Sequence, residues 1–71
     1  MTKFIDVCRT LGRRIQVVLH VMDDDMESGK PLGVNEVHDI MSGCWSEYHN
    51  YQVIVIKPIN QLRLKVIVVK E

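Results

Sequence analysis

A chain of 71 residues and 8.2 kDa, with nine basic and nine acidic residues, has room for one domain and one small core, and folding hides only about 60% of the surface such a chain exposes when unfolded. Length excludes a multidomain enzyme, and the 46% apolar and 25% charged content argues against a disordered or low-complexity chain. Zero net charge removes the argument from totals for a nucleic-acid binder or an acidic mimic of one.

Valine and isoleucine together number 18 and alanine is absent, so β-branched side chains make a sheet the main source of core. At the start of the chain Phe4, Cys8, Leu11, Ile15, Val18 and Met22 recur at steps of four and three, the spacing of one long amphipathic helix. Gly12 and the run Val-Val-Leu-His-Val at 17–21 oppose it, because glycine is a natural helix stop and β-branched residues are poor helix interiors. The reading adopted is a short helix capped by Thr2 and ended at Gly12, then a strand over 14–22. Residues 23–31 carry three aspartates, a glutamate, a glycine and a proline with no apolar period, which predicts a loop.

Further on, Val34, Val37, Met41, Cys44 and Tyr48 form a stripe at helical spacing, and a helix is expected over 34–47. The clearest element is C-terminal. Residues 51–57 and 62–69 are two β-rich runs separated by Pro58, Ile59, Asn60 and Gln61, a β-hairpin whose turn is expected at 58–61 with Asn60 free to adopt a left-handed backbone. Alternation puts Leu62, Leu64, Val66 and Val68 on the core face and Arg63, Lys65, Ile67 and Val69 on the other. In the preceding strand it puts Val53 and Val55 on one side, Ile54 and Ile56 on the other. The expected architecture is a single α+β domain over 1–71, in the order α-β-α-β-β, with a three-stranded, mainly antiparallel sheet. No internal repeat is present.

Motifs for chemistry are sparse. The acidic run at 23–27 misses the calcium-loop register, since Ser28 and Val34 stand where a glycine and a glutamate are needed. His20, His38, His49, Cys8 and Cys44 include zinc-ligand types, but no pair has the close spacing that nucleates a site, so no metal and no cofactor is expected. Cys44, His49 and an acid such as Asp39 or Glu47 could make a nucleophilic set, yet the types alone are common, and a domain this small leaves little volume for a water-excluding pocket. The glycines are isolated, so no phosphate-binding loop occurs. Cys8 and Cys44 are expected to be free thiols, Cys44 in the core. The N-terminus shows no leader pattern and uncharged stretches such as 15–22 fall far short of the roughly 18 residues that span a membrane. A cytoplasmic protein without a membrane partner is expected.

Two surfaces remain as candidates. Trp45, Tyr48 and Tyr51, with Ile54 and Ile67 on the second face of the hairpin, suit a protein interface, because aromatic residues bury much area at low rotamer cost. Arg9, Arg13, Arg14, Arg63 and Lys65 could gather into an anion-binding patch with Tyr48 and Tyr51 as stacking surfaces. The first surface makes the chain a non-catalytic protein-binding module, an inhibitor or accessory regulator. Apolar side chains on both hairpin faces further suggest a homodimer. The second surface makes it a nucleic-acid or nucleotide binder, and a small enzyme ranks third.

Overall fold

The computed structural model describes residues 2–22 and 31–70. Its centre is a mixed four-stranded sheet in the order β2-β1-β4-β3, formed by β1 (Gln16–Met22), β2 (Gly33–Glu36), β3 (Gln52–Asn60) and β4 (Arg63–Val69). The helices α1 (Phe4–Thr10) and α2 (Val37–Met41) both lie on one face. Phe4, Cys8, Val37 and Ile40 pack there against Val17, Leu19, Val66 and Val68, all of them buried. The α+β class is as expected, but the sheet has one strand more than the sequence suggested and its two central strands, β1 and β4, run parallel. Within these two strands, alternate residues meet the helices, as the period of two requires.

The short first helix and the strand after it are present, with a different cap. Lys3 holds the N-cap position of α1 without a side-chain bond, and Thr2 instead accepts from the Val53 N–H at 2.9 Å. The first N–H groups of α1 find main-chain partners: Phe4 donates to the Tyr51 carbonyl at 2.9 Å and Ile5 to that of His49 at 3.0 Å. The helix ends because Leu11 turns extended.

The helix expected over 34–47 is largely absent. Its first residues form β2, antiparallel to β1, with Val34 opposite Val18. Only Val37–Met41 is α-helical, its first two N–H groups donating to the carbonyls of Ile15 and Arg13 at 2.9 and 3.0 Å. Gly43 at φ 124° and Trp45 at φ 58° then break the chain into turns and a short 3-10 segment, Ser46–Tyr48. A left-handed tryptophan costs about 1–2 kcal/mol. Its ring contributes the offset, standing 6.3 Å from Phe4 between ring centres and against Gly33 of β2. This segment carries the chain across the core from one sheet edge to the other.

The C-terminal hairpin forms with its turn shifted. β3 continues through Pro58 to Asn60, and the turn is Gln61–Leu62. Proline is tolerated there because β3 is an edge strand. Asn60 has no left-handed backbone; its side-chain oxygen accepts from the Leu62 N–H at 2.9 Å. Leu62 is consequently exposed rather than in the core. Two bulges reset the alternation of β3, one between Val53 and Val55 and one between Pro58 and Asn60. Val53 stands opposite Val68 on the core face, whereas Val55 stands opposite Ile67 on the other and Ile56 opposite Val66, reversing the faces that unbroken alternation assigned.

Candidate functional site

The expected interface aromatics are core-rim residues. Trp45, Tyr48 and Tyr51 are half-buried against the helix-side core, and Tyr48 and Tyr51 meet edge to face at 5.1 Å. Ile67, at 4% exposure, offers no surface. Ile54, at 41%, does. It is one of four exposed aliphatics between positions 54 and 62, with Ile56, Ile59 and Leu62. Ile54 and Ile59 are the two extra residues that the bulges insert, each without a partner on β4. A bulge re-aims a side chain and ends regular pairing, so both bulges turn an isoleucine away from the ladder. The other exposed large aliphatics, Leu32, Val34 and Met41, lie near or on β2 and α2.

Among the described residues, the outer edge of β3 is covered by the chain itself only at its start, where Lys3 bridges Gln52 and Thr2 accepts from Val53. Beyond that point a shallow groove is lined by Thr2, Val53, Ile54, Val55 and Ile56. Pro58 removes an N–H, and the bulges and Lys57 interrupt the edge, all of which discourage continuous strand addition. The edge therefore offers exposed side chains more than an unbroken hydrogen-bond ladder.

The five cations expected to form one patch are divided. Arg9 closes α1 and pairs with Asp6 at 3.3 Å. Arg13 and Arg14 line a polar depression with Glu36 and His38, and His38 spans Glu36 at 3.4 Å and Asp39 at 3.3 Å. Arg63 and Lys65 lie on the sheet face away from the helices. There Arg63 donates from Nε and Nη2 to Oε1 of Gln16, at 2.9 and 2.7 Å. Sequence reasoning missed Lys57, which stands directly opposite Lys65 across the hairpin. With the turn expected at 58–61 the two lysines do not meet; moving it to 61–62 brings them together.

Among the described residues no carboxylate forms an ion pair with Arg13, Arg14, Lys57, Arg63 or Lys65. The described carboxylates are Asp6, Glu36, Asp39 and Glu47, against every basic residue of the chain except Lys30. The described residues thus carry a net positive charge although the whole chain is neutral. The acidic run of 23–27 and all but the last residue of the loop expected at 23–31 lie outside the described residues.

For the catalytic set, the His49 ring nitrogen Nε2 is 3.2 Å from the main-chain oxygen of Cys44, so this contact engages the carbonyl and not the thiol. Cys44 is exposed, contrary to the core position expected of it, while Cys8 is buried; both are free. Burial pushes the Cys8 thiol up from the usual 9.0 to about 11, because the low-dielectric core disfavours the thiolate. Among the described residues no three His, Cys, Asp or Glu side chains are grouped to hold a metal ion, and no helix is long and apolar enough to cross a membrane. No protein family, no curated protein and no solved structure matches the chain.

Proposed function

We propose that the chain is a small non-catalytic module, an inhibitor or accessory regulator, that acts by associating with another protein through the outer side of its C-terminal hairpin. One observation carries the reading: both β3 bulges insert an isoleucine, Ile54 and Ile59, that is 41% and 53% exposed. Bulges are specific features of a strand, and exposed aliphatics gathered on one edge mark association surfaces. Zinc, thiol or carboxylate chemistry has no comparable support in the geometry. The two free thiols favour action in the reducing cytoplasm.

Nucleic-acid binding finds less support, since the chain's four aromatics pack on the helix side while the unpaired lysines stand on the opposite face, so stacking and charge are not offered together. Charge also argues for a different protein over a second copy: stacking two uncovered faces would set Lys57, Arg63 and Lys65 of one copy against the same residues of the other.

The test is affinity capture from native extract after nuclease treatment, comparing wild type with the Ile54→Asp/Ile59→Asp variant. A protein band held by wild type and lost by the variant, with circular dichroism unchanged, is expected. A band that both retain, or one that nuclease removes, would overturn the reading. Sedimentation equilibrium should give a mass near 8.2 kDa for the isolated chain, whereas dimerisation would make a second copy the occupant of this edge.

A further inference from the structure

We infer that the β3–β4 hairpin, at the charged end of its face away from the helices, docks an acidic, extended segment of the partner protein, held by Lys57, Arg63 and Lys65. This rests on the association reading above and names the chemistry of the partner.

Three observations converge on that chemistry. Lys57 and Lys65 are direct cross-strand partners. Like charges at directly opposed positions destabilise a sheet, and no described carboxylate offsets the pair, so an external anion is the natural complement. Arg63, two residues from Lys65 on β4, is already oriented: Gln16 receives both Nε and Nη2, leaving Nη1 for a further acceptor without the rotamer loss that a free arginine would bear. Finally, Lys57 is exposed and Arg63 and Lys65 are half-buried on the face away from the helices, which pack on the other.

The spacing selects an extended segment. Alternate residues of a strand repeat at about 6.6 Å, so Arg63 and Lys65 match carboxylates at alternate positions of an extended chain. Val55 lies one step along the strand on the same face as Lys57, and receives the apolar side chain of such an alternating sequence. The face carries no Phe, Tyr or Trp, and its His20 is buried, which separates it from the stacking platforms that bind single-stranded nucleic acid.

The probe is a fluorescein-labelled peptide of alternating glutamate and valine, titrated into the full chain at low salt and followed by anisotropy. A peptide with lysine for glutamate and a short oligothymidylate serve as comparisons. The acidic peptide should bind, weaken as salt rises, and lose about tenfold in affinity with Lys65→Glu. Because Lys65→Glu also turns a like-charge pair into an attractive one, its urea midpoint should rise, so lost binding cannot be attributed to unfolding. The double reversal Lys57→Glu/Lys65→Glu should exchange preference toward the lysine peptide. Absent binding of the acidic peptide, indifference to Lys65→Glu, or tighter binding of oligothymidylate would overturn the inference. If the captured protein is lost with Ile54→Asp/Ile59→Asp yet retained by Lys65→Glu, the association reading stands and only this inference falls.

Discussion

The two faces of one sheet follow different physics. On the helix side Val17, Leu19, Val66 and Val68 are completely buried with Phe4 and Ile40, and the cohesion there is apolar area removed from water. On the other side, the same strands present Gln16, Arg63, Lys65 and Lys57 at one end, with Val18, His20 and Ile67 buried nearer the middle. The first face holds the molecule together. The second carries Lys57, Arg63 and Lys65, none of which pairs with a carboxylate among the described residues. A sheet covered by helices on one face can give its other face to recognition without giving up its core.

The sharpest way to break this comparison is to truncate one apolar side chain on each side. Phe4→Ala should cost about 3–5 kcal/mol, because a buried ring leaves a cavity as well as losing its transfer energy. Val55→Ala, half-buried on the uncovered face, should cost only about 1 kcal/mol. Urea unfolding measures both, and equal losses would show that the uncovered face contributes as much cohesion as the covered one.

The contrast also explains what could be read from the sequence. The hairpin was legible because its apolar residues alternate over two adjacent runs, and the helix-to-strand change near Gly12 was legible from β-branched content. The strand β2 was not. Val34, Val37, Met41, Cys44 and Tyr48 have helical spacing, but Val34, Met41 and Cys44 are exposed, so the stripe is a coincidence of spacing and not one buried face. Gly43 was a visible breaker; the left-handed Trp45 was not, since its backbone is held by a ring contact with Phe4, distant in sequence. Parallel pairing of β1 with β4 depends on contacts across more than forty residues and leaves no local pattern. At the candidate site, the placement of Arg63, Lys65 and Ile67 on the face opposite Val66 and Val68 could be anticipated from alternation. Lys57 could not, because a bulge and a shifted turn decide its partner, and neither has a strong signature in a run of valines and isoleucines.

The buried thiol offers a second test of the covered face. Cys8 is at 0% exposure, and its value is raised from 9.0 to about 11. The folded state therefore holds the proton more tightly than the unfolded state. The stabilising contribution is complete below about pH 9 and is lost as pH rises from there toward about 11. Unfolding free energy should fall over that window, and Cys8→Ala should remove that part of the slope. At neutral pH a maleimide should label Cys44 in the native protein and Cys8 only after denaturation. Rapid native labelling of both thiols would place Cys8 outside the core.

The smallest effect belongs to the uncovered face and concerns how it is held ready. Arg63 gives two donors to one oxygen of Gln16, and the two residues are Cα partners at the start of the parallel pair. In a double-mutant cycle of Arg63→Ala and Gln16→Ala the coupling should be about 0.5–1 kcal/mol, the range of partly exposed hydrogen bonds. Arg63→Lys should lose most of that coupling while keeping the charge, because an ammonium cannot reproduce the planar fork. If binding of an acidic segment uses an arginine fixed in advance, Arg63→Lys should also weaken it, by less than Lys65→Glu does. A coupling near zero with undiminished binding would mean that charge alone, and not the orientation imposed by Gln16, sets the affinity of this face.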